Sequence, residues 1–303
     1  MPRTERFLSP ERFARLRDLR AREPHRVAEA LAARTRRPVL SDAGRLFIVA
    51  ADHPARGSLA VGKESMAMAD RYDLLDRLTL ALSRPGVDGV LGTPDIIDDL
   101  ALLGALDGKV VVGSMNRGGL RGASFEYDDR FTGYDIPAIV RDRLDFAKTL
   151  LRVNLTDTAT ADTLEANARA VSAAARARLP IMVEPFLSEW RGGAATNMLD
   201  PDSVIASVGI ATGLGNSSAY TWMKLPVVDQ MERVMEATTL PTLLLGGDRT
   251  ADPDATYATW EKALALPGVR GLVVGRTLIY PPDGDVVAAV DTAASLVHVQ
   301  PAA

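Results

Sequence analysis

Eight short apolar runs, spaced about 32 residues apart on average, constrain the fold of this 303-residue chain more than any other feature. They read LFIVAAD (46–52), DGVLGTP (88–94), KVVVGSMN (109–116), TLLRVNL (149–155), PIMVEPF (180–186), YTWMKLP (220–226), PTLLLGGD (241–248) and GLVVGR (271–276). Between most of them lie stretches of helical periodicity, among them DTLEANARAVSAAARARL and DATYATWEKALAL. Short runs rich in leucine and β-branched residues, alternating with helices, argue for parallel strands in βαβ units. The repeat is close to one βα unit, and no proline- or glycine-rich linker divides the series. The spacing therefore predicts an α/β chain with a closed (β/α)8 TIM barrel over residues 41–303. A doubly wound open sheet is the rival, but no G-x-G-x-x-G follows the first run.

Residues 1–40 read as an N-terminal helical extension, with helices from about Pro10 to Arg22 and from Pro24 to Arg36. Phe13, Leu16 and Leu19, then Val27, Leu31 and Ala32, recur at helical spacing among many arginines. An amphipathic appendage packed on the barrel is the plain expectation, and an arginine-rich contact face is the alternative. The first twenty residues lack the apolar run of a signal peptide and hold too many acids for a transit peptide. No later segment reaches ~18 uninterrupted apolar residues, so a cytoplasmic protein without a membrane partner is expected.

Composition narrows the chemistry. Hydrophobic residues make up 47% of the chain, enough for a sizeable core, and the net charge of −4 gives no reason to expect a nucleic-acid partner. The absence of cysteine excludes disulfides, thiolate metal sites and cysteine nucleophiles. His25, His53 and His298 are too dispersed to suggest zinc, so neither metal nor cofactor is expected. Lysine occurs only at 63, 109, 148, 224 and 262, against 30 arginines. A lysine inside an apolar strand is thus no casual substitute for arginine, because only lysine readily loses its proton when dehydrated.

In such barrels the active site lies at the C-terminal ends of the strands, and the runs carry their polar residues there. The first ends in Asp52-His53, the second in Thr93, the third in Asn116-Arg117, and the fifth contains Glu184. The sixth contains Lys224, the seventh ends in Gly246-Gly247-Asp248, and the eighth in Gly275-Arg276. Glycines closing the last two strands let backbone amides approach a phosphate, with Arg276 adding a charge-assisted contact. Tight βα turns are the plainer use of the same glycines.

If Trp222 and Lys224 share one face of their strand, Met223 and Leu225 meet the helices and Lys224 faces the barrel mouth. A dehydrated ammonium loses affinity for its proton, and a neutral amine attacks carbonyls to form a Schiff base. A purely structural ion pair with Glu184 accounts for the same residue type. Glu184 itself, in an apolar strand, is costly unless paired or protonated, and a raised pKa would suit acid–base work. Lys148 opens the fourth run; if it sits too low in the barrel, Arg152 is the nearer second cation. Asp52 could orient Lys224, handle a substrate hydroxyl, or only cap a turn.

A lysine in strand six written MKLP, followed by GGD in strand seven and VGR in strand eight, resembles the class I aldolases of the deoxyribose-phosphate, tagatose-bisphosphate and archaeal-type fructose-bisphosphate superfamily. The resemblance spans roughly Leu46 to Tyr280. It implies Lys224 as the Schiff-base lysine, Gly246, Gly247, Gly275 and Arg276 at a phosphate, and Asp52 as the strand-one aspartate. Lys148 and Glu184 match the auxiliary lysine and acid–base glutamate of the tagatose-bisphosphate type. The archaeal type uses a strand-five tyrosine as acid, and here the nearest residue is Phe186. The arginine-rich N-terminal helices and TLLRVNL are also similar to aldolase-like proteins of bacterial inositol-catabolism clusters, which points to 5-dehydro-2-deoxy-6-phosphogluconate.

The expectation is an enzyme, a carbon–carbon lyase, acting on a phosphorylated sugar and assembling into a homo-oligomer. Its catalytic set is Lys224, Glu184, Lys148 and Asp52, and its substrate-binding set is Gly246, Gly247, Gly275, Arg276, Arg152 and Asn116. Tagatose, fructose and sulfosugar phosphates are alternative substrates, as is deoxyribose phosphate. An isomerase using Glu184 as base, or a barrel that only binds phosphate, are the rival functions. Residues 116–135 are expected to read the substrate's far end, where Arg117 and Arg121 either hold a carboxylate or second phosphate or are simply solvated.

Overall fold

Side chains alternate between two apolar layers along eight parallel strands, and that alternation closes a barrel. The computed structural model describes residues 6–40, 43–247 and 252–298. Its strands are β1 (Leu46–Ala50), β2 (Gly89–Gly92), β3 (Val110–Ser114), β4 (Phe146–Val153), β5 (Ile181–Arg191), β6 (Ala194–Asn197), β7 (Thr221–Pro226), β8 (Thr242–Leu245) and β9 (Val269–Val274). All but β6 form one parallel ring in the order β1-β2-β3-β4-β5-β7-β8-β9, with β9 returning to β1. The sheet is closed, so this is a (β/α)8 barrel and the open doubly wound alternative falls.

The helices are α1 (Pro10–Arg22), α2 (Arg26–Ala33), α3 (Arg71–Ser83), α4 (Pro94–Leu102), α5 (Ile136–Arg141), α6 (Ala159–Ala177), α7 (Pro201–Thr212), α8 (Met231–Glu236), α9 (Pro253–Leu264), α10 (Arg276–Ile279) and α11 (Val286–Val297). No helix among the described residues is long and apolar enough to cross a membrane. Outward residues such as Phe47, Val49, Val111, Met223 and Leu225 join the helices in one large buried cluster. Inward residues form a second: Leu46, Ile48, Val110, Val112, Phe146, Met182, Leu243 and Val273. Trp222 meets Phe146 edge to face at 5.3 Å, and Val39 and Leu40 pack on the same cluster. The barrel axis is therefore filled with hydrocarbon below its polar mouth.

The first helix lies on the barrel's outer layer through both apolar and charged contacts. Phe13 stacks on Tyr72 at 4.5 Å, the Tyr72 hydroxyl donates to the Leu8 carbonyl, and Arg20 bonds Asp98 and Asp99. Arg20 thus ties α1 to α4, while Arg12, Arg15, Arg17 and Arg22 of the same helix stay exposed. The second helix stops at Ala33, three residues before the expected Arg36. Arg34 is extended there because its guanidinium is buried against Asp145, 2.9 Å away, and donates to the Lys109 and Arg143 carbonyls.

The hairpin made by β5 and β6 was not legible as strands, although its turn has a sequence signal. Gly192 and Gly193 both take positive φ, +59° and +79°, as a two-residue hairpin turn requires. They pair Arg191 with Ala194 and Ser188 with Asn197, which extends β5 beyond the barrel rim.

At the opposite end, His298 follows α11 and contacts the Asp88 carboxylate at 3.0 Å and the Gly86 carbonyl at 3.0 Å. Asp88 and the carbonyl raise the imidazole pKa against burial and Arg37. A raised histidine stabilises the fold fully below its unfolded value of ~6.5, and the contribution fades as pH rises through the higher folded value. His298→Ala should therefore cost about 1 kcal/mol or less at pH 6 and less still at pH 9. Urea unfolding of both forms across this range checks it; a pH-independent difference would refute the coupling.

Candidate active site

The C-terminal rim of the barrel encloses a cavity of about 760 Å³. Strand alternation turns Lys148 and Arg152 of β4, Glu184 and Phe186 of β5, and Lys224 of β7 into it, while Asp52 enters from just past β1. Lys148, Glu184 and Lys224 are 2%, 6% and 5% exposed, so bulk water does not screen their charges. The Lys148 ammonium donates to Asp52 Oδ2 at 2.9 Å and lies 2.9 Å from Glu184 Oε2. The same Glu184 oxygen lies 2.9 Å from Lys224 Nζ. The glutamate contacts are charge pairs off hydrogen-bonding alignment, and Ser114 adds a 3.3 Å bond to Asp52.

This chain of four charges is lopsided, and the lopsidedness sets protonation. Burial alone would lower Lys148, but Asp52 and Glu184 outweigh it and push this ammonium up to about 12. Lys224 shares only the glutamate. Burial lowers its pKa, Lys148 adds to the fall, and Glu184 and Asp52 compensate only in part. Lys148 therefore holds its proton more tightly than usual and Lys224 less tightly, so of the two Lys224 gives up its proton more readily. Glu184 departs from the raised pKa that its apolar strand suggested. Burial does push it up, but Lys148 and Lys224 together bring it down to about 2, because the carboxylate is paired rather than isolated. Burial likewise raises Asp52, and Lys148, His53 and Lys224 reverse it to well below the usual carboxylate range.

The remaining expected residues divide. Gly246, Gly247, Gly275 and Arg276 line the cavity beside the ends of β8 and β9, whereas Asp248 lies outside the described residues. Close packing independently demands two of these glycines: a Cβ on Gly275 would fall 2.4 Å from the Ala50 carbonyl oxygen, and one on Gly246 2.3 Å from Val274 Cγ1. Arg152 lines the cavity but is ion-paired to Glu126, leaving Lys148 as the cation next to Lys224. Asn116 does not line it. Its amide donates to Asp129 and to the Leu150 carbonyl and accepts from the Leu150 N–H, which ties the 116–135 loop to β4. Arg117 reaches the Ala55 carbonyl and Arg121 the Ser58 hydroxyl, so both bind the neighbouring loop as well as facing the cavity.

The cavity also holds residues outside the expected catalytic and substrate-binding sets. His53 is one: burial, then Arg276, Lys224 and Arg56, outweigh Asp52 and take its pKa down to about 3, so the imidazole is neutral at pH 7. Arg56, Ser58, Glu126 and the β6 residues Ala194–Asn197 complete the wall. Only the adjacency of His53 to Asp52 marked any of them beforehand. Among the described residues no three His, Cys, Asp or Glu side chains gather as a metal site.

Fold and site together define a (β/α)8 barrel with a buried lysine pair at its mouth, sharing its architecture with class I aldolases. A family model described as Cgl0159-like matches residues 44–294, and the chain belongs to that family. It is 67% identical to Cgl0159 from Corynebacterium glutamicum (Brevibacterium flavum), covering 97% of this chain and 99% of that one at a TM-score of 0.95. A Schiff-base-forming fructose-1,6-bisphosphate aldolase shares the fold at 19% identity and TM-score 0.63, over 90% of this chain and 100% of that one. An archaeal fructose-1,6-bisphosphate aldolase, whose catalytic lysine is covalently bound to a carbinolamine intermediate, does so at 20% identity and TM-score 0.61, over 89% and 99%. No protein of curated function matches the chain.

Removing the Lys148 charge should let Lys224 hold its proton more tightly. In Lys148→Met, modification of Lys224 by an amine-acylating reagent at pH 7 is expected to slow by about tenfold, because the neighbouring charge opposing its protonation is gone. Peptide mass spectrometry across pH measures it, and an unchanged or lower titration midpoint would contradict the charge coupling. Gly275→Ala should cost roughly 1–3 kcal/mol through overpacking against β1, seen as a lower midpoint in urea unfolding.

Proposed function

We propose that this protein is a class I aldolase that cleaves a phosphorylated ketose or keto sugar acid through a Schiff base on Lys224. The observation carrying the reading is the shared carboxylate: Glu184 touches both lysines, and only Lys224 is left with a lowered pKa. The neutral Lys224 amine adds to the substrate ketone, giving a carbinolamine that loses water to an iminium. Glu184, in contact with Nζ, serves the proton transfers of that dehydration. The bond between the carbons beyond the iminium then breaks, its electron pair forming an enamine while the neighbouring hydroxyl gives up its proton and becomes an aldehyde. Glu184, with Asp52 and water, takes that proton. Protonation and hydrolysis of the enamine return Lys224.

A carboxylate near 2 is a weak base for abstracting a carbon-bound proton unaided. That disfavours an isomerase relying on Glu184. Cleavage into an iminium asks less of the base, because the nitrogen accepts the electrons. The fold shared with Schiff-base-forming aldolases supports the same choice. Gly246, Gly247, Gly275 and Arg276 would seat the phosphate of the ketone fragment and hold its carbonyl against Lys224. Our substrate assignment is 5-dehydro-2-deoxy-6-phosphogluconate, yielding dihydroxyacetone phosphate and malonate semialdehyde.

Borohydride reduction with dihydroxyacetone phosphate should leave a mass adduct on the Lys224 peptide. Lys224→Met should lose the adduct and at least about a thousandfold in cleavage rate, as removal of a covalent nucleophile does. An adduct elsewhere, or substantial turnover by Lys224→Met, would rule the scheme out.

A further inference from the structure

The barrel mouth has a second cationic wall, facing the first. In the ring of strands β4 stands opposite β9, so Arg152 lies across the cavity from Gly275 and Arg276, with β5, β7 and β8 between them on one side. Arg152 is only 7% exposed and is joined there by Arg56, from the turn after β1. Glu126 contacts only one of the pair: it accepts from Arg152 and from the Gly122 N–H. Arg56 has no ion pair among the described residues, and the Nε–H groups of Arg56 and Arg152 are both buried without a partner. Arg152 is the strongest charge opposing protonation of Arg56, whose pKa falls to about 10 mainly through burial.

The arginines are also held in place. The Arg121 N–H donates to the Arg56 carbonyl at 2.9 Å, and Arg117 grips the carbonyl of Ala55. These bonds join the two loops that carry the wall. Buried guanidinium N–H groups without acceptors are costly, and a planar donor fork of this kind suits a carboxylate or phosphate.

We propose that Arg56 and Arg152 form a second anion subsite, so that the substrate carries an anionic group at each end. This deepens the aldolase reading and rests on it for orientation: the ketone-fragment phosphate sits by Gly246 and Gly275, and the aldehyde fragment ends in a carboxylate or phosphate at Arg56 and Arg152. Neutral-ended sugar phosphates would leave both Nε–H groups unsatisfied.

The test uses three acyclic probes without a carbonyl, so that affinity does not depend on Lys224 chemistry. Glucitol 6-phosphate carries one anionic end, 6-phosphogluconate adds a carboxylate, and glucitol 1,6-bisphosphate adds a phosphate. Calorimetric titration of the full chain should show at least one double-ended probe binding about tenfold or more tighter than glucitol 6-phosphate, the scale of charge-assisted hydrogen bonds. Which one does so identifies the anion. Arg56→Gln should remove that preference, as should Arg152→Lys, which keeps a cation opposite Glu126; glucitol 6-phosphate binding in each variant reports an intact cavity. Equal affinities for the three probes, binding of none, or a preference that survives both substitutions would overturn the subsite. A preference without any borohydride adduct on Lys224 would retain the subsite and reject the aldolase, and an adduct without preference would do the reverse.

Discussion

Two ammonium groups and two carboxylates share the dry mouth of this barrel, and the site's chemistry follows from how unequally they are shared. An isolated charge at this depth would be too costly to keep, and a pair is tolerated only with close partners. Lys148 touches both Asp52 and Glu184, whereas Lys224 touches Glu184 alone. The cluster is balanced as a whole but not at each atom. Of its two ammonium groups, Lys224 holds its proton less tightly, and it lines the cavity at the mouth of an otherwise hydrocarbon-filled axis.

That arrangement depends on strand register. Side chains alternate with a period of two, so a one-residue slip of β7 would exchange Lys224 for Met223 or Leu225 and bury the ammonium among helices. The outward residues resist this: Met223 and Leu225 are fully buried against the helical layer. Beneath the lysines, Phe146, Met182 and Leu243 leave no polar alternative for the ammonium groups. The apolar packing therefore orients the charges, and the charges, once oriented, neutralise each other.

The two ends of the mouth are built by different means. Near β8 and β9 the backbone itself comes close to the cavity, and sterics exclude side chains at Gly275. Across from it, long arginines reach in from a strand and a turn, stabilised by loop-to-loop hydrogen bonds. The hairpin of β5 and β6 walls the remaining side, with Trp190 anchored to Asp157 at 2.7 Å and packed edge-on against Tyr127.

Local periodicity was enough to read the barrel and to put Asp52, Glu184 and Lys224 late in their runs, because strand alternation and βα spacing are written in neighbouring residues. That periodicity left open whether Lys148 or Arg152 stands beside Lys224, which the closed barrel resolves in favour of Lys148. It was not enough for the early end of α2, where Arg34 leaves the helix for a distant Asp145, or for Asn116, whose amide serves the backbone of β4. Nor could it reveal that Glu184 is pulled down rather than up. The sign of that shift depends on which ammonium groups stand beside it, and the Lys148–Asp52 contact alone joins residues 96 positions apart. The sequence by itself determined the architecture and the supply of ionisable groups inside it; tertiary structure decided their partners, because a buried charge is governed by contacts of a few ångströms that only the closed barrel brings about.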